Sequence, residues 1–411
     1  MTTGKRTGIA ALLLSAVMMN IAYTMLVPLV PELTGRFQMS ALEVAAAFSG
    51  FAVAKALTQP IGGILVDRTL RPQLMGFIGM SMTAAAVLGL AFADAGWQVL
   101  AWRLAWGMAE GLTMPVLYQL ASSLGASSRF GTARVMGWFG GSCTAGMVLG
   151  PAVVGLLYPL LGFTGVFLAG AAVTAAGGVL LLGLRVDRVE VSPQAASDQR
   201  SANGVVRSLI VLVAIFAVVD LVNNALFAAL EPVVPLHLDK ITGGNGIAYT
   251  SVIYTAGLAV FMVVAMTCAR LVESRPLLVI AGFAFGAEAV GLAAVGLFDG
   301  VVAMCAGLLL FMTAQPVLYL VARQGVNLVP RHLLGRAFGA FGLVSDIGFV
   351  VGPLLGALAY TWLGISAFLA MAVVAAVAAL GVTLLRVLRS GLVAEEPAGS
   401  LGAGGPVQAE R

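Results

Sequence analysis

A chain of 411 residues in which 60% are hydrophobic and only 10% are charged is too apolar for a soluble domain, where about 25% of residues carry charge. Its formal net charge of +4 comes from basic residues scattered over many short segments, which excludes a nucleic-acid-binding patch. The solvent that this composition suits is a lipid bilayer.

Twelve apolar runs of about 20 residues follow one another, near 8–30, 42–66, 73–94, 98–122, 133–158, 164–184, 208–232, 248–270, 276–297, 301–325, 336–359 and 365–388. Backbone groups find no water in hydrocarbon, so each run is expected to be a helix, and the fold class is an all-α membrane protein with twelve transmembrane helices. The first run is too long for a signal-peptide core and reads as a retained helix. With both termini cytoplasmic, 18 of the 22 Lys and Arg, Arg323 among them, fall in inner loops and tails. Arg36 and Lys240 fall outside, and Lys55 and Arg103 lie within spans. The expected location is a bacterial cytoplasmic membrane, crossed many times, with both ends inside.

A charge at the bilayer centre costs about 2.5–3.5 kcal/mol on insertion scales, so each intramembrane ionisable group is a functional candidate. In chain order, Asn20 stands in the first span and Lys55 in the second, which ends in Gly63, Asp67, Arg68 and Arg71. That carboxylate–arginine cluster suits a latch on an inner gate; the alternative is a plain loop anchor. The fourth span places Arg103, Gly107, Glu110 and Met114 on one face. Arg103 and Glu110 are about 10 Å apart along the axis, so each needs another partner. Tyr118 follows as a candidate cavity group. The fifth span carries Gly146, Gly150, Pro151 and Gly155, small enough to let the backbones of two halves meet.

The seventh span contains NNALFAALEPVVPL, residues 223–236. Asp220, Asn224, Phe227 and Glu231 recur at helical spacing and form one stripe, expected to line a cavity. Pro232 and Pro235 are expected to break the helix beside Glu231, which is tolerated at membrane depth only where protein or water satisfies the freed groups. The alternative puts Glu231 at the outer interface, with the prolines merely ending the helix. Further on come Glu288, Gln315, Tyr319, Asp346 and the pair Gly352 and Pro353. Glu288 and Lys55 can also pair with neighbours or snorkel. Five intramembrane acids against two bases suit protons and cationic or amine-bearing solutes.

The chain repeats itself. GMVLGPAVVG (146–155) returns as GFVVGPLLG (348–356), an offset of 202 residues at the Gly-Pro pair. PVLY occurs at 115 and 316, and MNIAYTMLVPLVP (19–31) is echoed by NNALFAALEPVVP (223–235), which aligns Asn20 with Asn224. The organisation is two six-helix halves, 1–185 and 207–389, with a polar cytoplasmic linker at 186–206 and a disordered cytoplasmic tail at 390–411. Cys143, Cys268 and Cys305 are odd in number and far apart, and with only His237 and His332 they supply neither a disulfide framework nor a metal site. No cofactor is expected.

These residues resemble the major facilitator superfamily, in its twelve-helix drug:proton antiporter branch, over roughly residues 8–388. The loop after the second span is matched by Gly63, Asp67, Arg68 and Arg71, although Leu70 and Pro72 depart from the pattern. The fourth-span motif is matched by Arg103, Gly107 and Gly111, and the fifth-span antiporter motif by Gly146, Gly150, Pro151 and Gly155. LEPVVP is similar to the seventh helix of vesicular amine transporters, which implies a coupling or substrate-contacting role for Glu231. The resemblance also implies a part in proton transfer for Arg103, the alternative being a buried ion pair that fixes packing.

The expected function is proton-coupled export of small lipophilic or cationic compounds by alternating access, in a protein working as a monomer with a small molecule and protons as its partners. Within transport the alternatives are a narrow-substrate exporter of an endogenous metabolite or metallophore, or an importer. Outside transport they are a non-transporting receptor or a membrane enzyme. The enzyme is disfavoured because no Gly-rich phosphate loop, metal cluster or nucleophile–base pair stands out.

Overall fold

The computed structural model describes residues 3–69, 71–184, 203–330 and 334–394. Among them every regular element is helical. Helix α1 (Thr3–Met25) runs through a 3-10 turn at Val27–Leu29, where Pro28 withdraws an N–H, into α2 (Val30–Arg36), so the first crossing is one bent rod. Helix α3 (Ala41–Arg68) begins at a capping box in which Ser40 Oγ accepts from the Glu43 N–H and Glu43 accepts from the Ser40 N–H. Then come α4 (Pro72–Ala91), α5 (Gly96–Ala126) and α6 (Thr132–Leu182).

A straight helix of 51 residues would be about 77 Å long, more than twice the hydrocarbon thickness. Gly162 resolves this by leaving helical geometry at φ 62°, a conformation open to glycine, so α6 supplies two crossings. The remainder is α7 (Asn203–Ile241), α8 (Gly246–Thr267), the short α9 (Ala269–Ser274), α10 (Leu277–Leu297), α11 (Val301–Val326), α12 (Leu334–Leu363) and α13 (Ser366–Ala394). Ten stretches among the described residues are long and apolar enough to span a membrane. The broken α6 counts twice and α5, diluted by Arg103 and Glu110, completes the expected twelve.

Of the linker expected at 186–206, residues 186–202 lie outside the described residues and 203–206 begin α7. Of the tail expected from 390, residues 395–411 lie outside them, as does His332, and 390–394 still belong to α13.

The helix pairs obey the sequence repeat: α1 lies along α6 as α7 lies along α12. Glycine is the reason. A Cβ on Gly146 would stand 2.4 Å from the Val17 carbonyl oxygen, and one on Gly348 would stand 2.5 Å from that of Leu221. Gly150 meets the Ile21 carbonyl at 2.6 Å as Gly352 meets that of Ala225 at 2.4 Å. This corrects the expected use of the motif. These glycines close helices within one half, and of the motif residues Gly155 faces the other half, with Ser251 Cβ of α8 3.0 Å from its Cβ position.

Three apolar clusters show where the halves meet. One contains Met25, Phe48, Trp106 and Phe167 together with Leu230, Val234, Leu308 and Phe368, and so joins both halves at the end away from the termini. A second draws on Leu12, Leu117, Leu124 and Phe139 of the first half, and a third on Phe216, Phe285, Leu318 and Phe341 of the second. The last two share no residue, so near the termini each half has its own core.

Candidate functional site

Between the halves lies a cavity of about 110 Å³ lined by Tyr23, Phe48, Phe51, Lys55, Arg103, Glu231, Asp346 and Phe349. Residues from α1, α3, α5, α7 and α12 therefore converge there. The depth of Glu231 comes from an outcome opposite to the one expected for its prolines. Helix α7 continues through Pro232 and Pro235 to Ile241, which puts Glu231 ten residues, about 15 Å, before its end. The prolines still deprive the carbonyls of Ala228 and Glu231 of their usual i+4 donors. Glu231 is 5% exposed, and its carboxylate makes no hydrogen bond or ion pair among the described residues. Arg103 is the charged group that acts on it.

Arg103 is itself buried at 1% exposure. Its Nε donates to the Ala47 carbonyl at 3.3 Å, and its guanidinium sits 4.4 Å from the Phe51 ring centre, 5.0 Å from Trp106 and 5.3 Å from Phe48. Aromatic faces attract a cation, which compensates part of the lost hydration. Its Nη1 finds no partner. The second partner needed by Glu110 is Lys55, whose Nζ donates to Glu110 Oε1 at 2.6 Å. Lys55 also lies 5.9 Å from the Tyr23 ring centre and 5.8 Å from that of Phe51. Asp346 opens onto the cavity from α12, within electrostatic reach of Lys55 and without an ion pair to it.

The expected stripe on α7 divides between two places. Asp220, fully buried, accepts from Ser345 Oγ at 2.5 Å and from Arg323 Nη1 at 3.2 Å to one oxygen and 3.3 Å to the other. Asn224 donates to Ser345 Oγ at 2.8 Å, so its Asp220 neighbour is part of a closed network. Arg323, expected in an inner loop, instead stands in the last turn of α11 with its guanidinium 3.3 Å from the Tyr319 ring centre. A signal for it exists: Gln315, Tyr319 and Arg323 are spaced by four and share a helix face. Tyr23 in the cavity and Ser345 beside Asp220 are uncharged and carry no comparable sequence signal.

The other candidates are scattered. Tyr118 packs its ring on Phe139 and lies within electrostatic reach of Tyr319, Lys55 and Arg323. Gln315 is buried, its backbone carbonyl accepting from Asn223. Asn20 donates to the Ala16 carbonyl of its own helix at 2.9 Å. Glu288 is fully buried on α10, which packs on α11 and α13, and neither of its oxygens has a partner. It is not among the residues that line the cavity. Asp67, Arg68 and Arg71 are exposed at the end of α3 and the start of α4 and form no ion pair with one another, while Gly63 has open space where a Cβ would be.

A family model described as Major Facilitator Superfamily matches residues 12–347. No curated protein matches closely enough to count as a relative. Among solved structures, the fold is similar to that of a variant of the nucleoside transporter NupG, with a TM-score of 0.79 at 15% identity over 93% of this chain and 100% of that one. It is also similar to a bacterial homologue of the human lysosomal transporter Spinster, inward-facing and occupied, with a TM-score of 0.75 at 13% identity over 92% and 96%. A POT family transporter in complex with 5-aminolevulinic acid gives a TM-score of 0.73 at 13% identity over 94% and 97%. These neighbours are transporters of kinds other than the drug:proton antiporters.

Proposed function

Because the chain belongs to the major facilitator superfamily, we propose that this multi-pass membrane protein works as a proton-coupled exporter of small lipophilic or cationic compounds. It is a transporter rather than an enzyme. In this reading the halves 1–185 and 207–389 rock about the cavity, joined by the linker 186–206, in a bacterial cytoplasmic membrane with both termini inside, and one chain suffices. Glu231 is the observation that carries it. A buried carboxylate with no partner is costly unless it is protonated or meets a cation, and Glu231 holds that position where both halves meet. Proton and cationic solute then compete for one acid, which is the simplest basis for antiport. Asp346 is a second acceptor on the same cavity. Asp67, Arg68 and Arg71, without an ion pair among the described residues while the two inner cores are separate, supply a latch for the opposite state.

The test is ethidium efflux from loaded bacterial cells expressing the wild type or Glu231→Gln, each with and without a protonophore. Efflux by the wild type that is abolished both by the protonophore and by the substitution is the expected result. Gradient-driven efflux unchanged in Glu231→Gln would remove that residue from coupling.

A narrower reading has one observation in its favour. A cavity of about 110 Å³ is small for a drug-sized solute, which suits a carrier of one small metabolite, exported or imported. Absence of ethidium efflux from cells that hold correctly folded protein would favour it.

A further inference from the structure

The cavity holds both signs of charge unpaired. Arg103 has one donor engaged, on the Ala47 carbonyl, and Nη1 without a partner although the residue is almost fully buried. Glu231, lining the same cavity, has no hydrogen bond or ion pair among the described residues, and no ion pair joins the two. Lys55 differs, because Glu110 already occupies it at 2.6 Å. A buried guanidinium donor left empty is expensive and is usually met by a ligand, water or carboxylate. Around these charges stand Tyr23, Phe48, Phe51 and Phe349, an apolar wall. Tyr254, 2% exposed on α8 and within electrostatic reach of Glu231, stands behind the residues that line the cavity, its hydroxyl without a partner among the described residues.

We propose that the cavity takes a small zwitterion, its carboxylate on Arg103, its ammonium on Glu231 and its apolar body against the aromatic wall. The inference rests on the reading of this cavity as the transport site and narrows the solute from a cation to an amphoteric one. Planar guanidinium suits a carboxylate because two parallel N–H groups meet two oxygens, and Arg103 retains such donors. Asp346 disfavours the anionic group on its own side of the cavity, which fixes the orientation.

The experiment measures binding of leucine, 3-methylbutylamine and 4-methylpentanoate to the purified full-length protein in lipid nanodiscs. These three share an apolar body and carry both charges, only the positive one and only the negative one. The wild type is expected to bind leucine at least about tenfold more tightly than either analogue, one charge-assisted hydrogen bond being worth that much. Arg103→Lys, which keeps the charge and loses the fork, is expected to bring leucine within about threefold of the amine; Glu231→Gln is expected to bring it within about threefold of the acid. Wild-type protein that binds the amine as tightly as leucine overturns the zwitterion and leaves the cation-exporter reading intact. Wild-type protein that binds the acid as tightly as leucine, with Glu231→Gln unchanged, overturns both. Binding of none of the three also overturns the proposal, while ethidium efflux continues to judge the exporter separately.

Discussion

Lys55 Nζ lies 2.6 Å from Glu110 Oε1, and this pair ties α3 to α5 inside the first half. Glu110 is 4% exposed and its other oxygen has no partner among the described residues, so Lys55 is the cation in direct contact with its charge. Lys55→Ala leaves that carboxylate buried and is expected to cost about 1–3 kcal/mol, less than a fully buried pair because the lysine side chain is 30% exposed. Replacing both residues, Lys55→Met with Glu110→Leu, is expected to recover most of the loss. Thermal unfolding of the single and double variants in detergent checks it; a double variant as unstable as Lys55→Ala would mean that the aromatic contacts of Lys55, not the pair, hold α3 in place.

The glycine contacts predict a sharp difference between positions that look alike in sequence. Gly352→Ala puts a methyl 2.4 Å from the Ala225 carbonyl oxygen, so α12 must move from α7, at an expected cost of about 1–3 kcal/mol. Gly150→Ala, against the Ile21 carbonyl at 2.6 Å, should behave in the same way. Gly141→Ala on α6 meets nothing within 4 Å and should be neutral or slightly stabilising. Melting temperatures of the three variants decide it.

What the sequence made legible follows from the range of each interaction. Span number and the division into two similar halves are readable because hydrophobic length and an internal repeat are local or self-referential signals, whereas the partner of the Gly-Pro helix is not: its glycines pack α6 on α1 and α12 on α7 within each half. Lys55 with Glu110 is not readable either, since 55 residues separate them and only α3–α5 packing brings them together. Arg323 falls near the inner end of the 301–325 run, where charge alone counts it with the inner loops; the helix carries it in its last turn, and the guanidinium is held by Asp220, 103 residues away in the chain. Pro232 and Pro235 remove donors as their chemistry dictates, yet they do not break α7 as their sequence leads one to expect. A helix packed along its neighbour, as α7 is on α12, can absorb two missing hydrogen bonds.

Asp220 offers a prediction about that second network. It is fully buried and receives Ser345, Asn224 and Arg323. Arg323→Gln removes the cation, leaving the carboxylate with two neutral donors, and is expected to destabilise by about 1–3 kcal/mol. Ser345→Ala removes one neutral donor and should cost about 1 kcal/mol. Denaturation midpoints that rank the two in the opposite order would show that the hydroxyl, rather than the guanidinium, fixes Asp220.

Glu288 separates burial from function. It is 0% exposed on α10, both oxygens lack partners, and the cavity residues do not include it. A buried polar group without partners costs about 1–3 kcal/mol, a cost that a leucine of similar volume does not bear. Glu288→Leu is therefore expected to raise the melting temperature by several degrees and to leave transport within about twofold of the wild type, whereas the isosteric Glu231→Gln is expected to abolish it. The same efflux assay and melting measurement read both variants. Loss of transport in well-folded Glu288→Leu would bring α10 into the proton route, and would mean that a carboxylate outside the cavity is charged at some stage of the cycle.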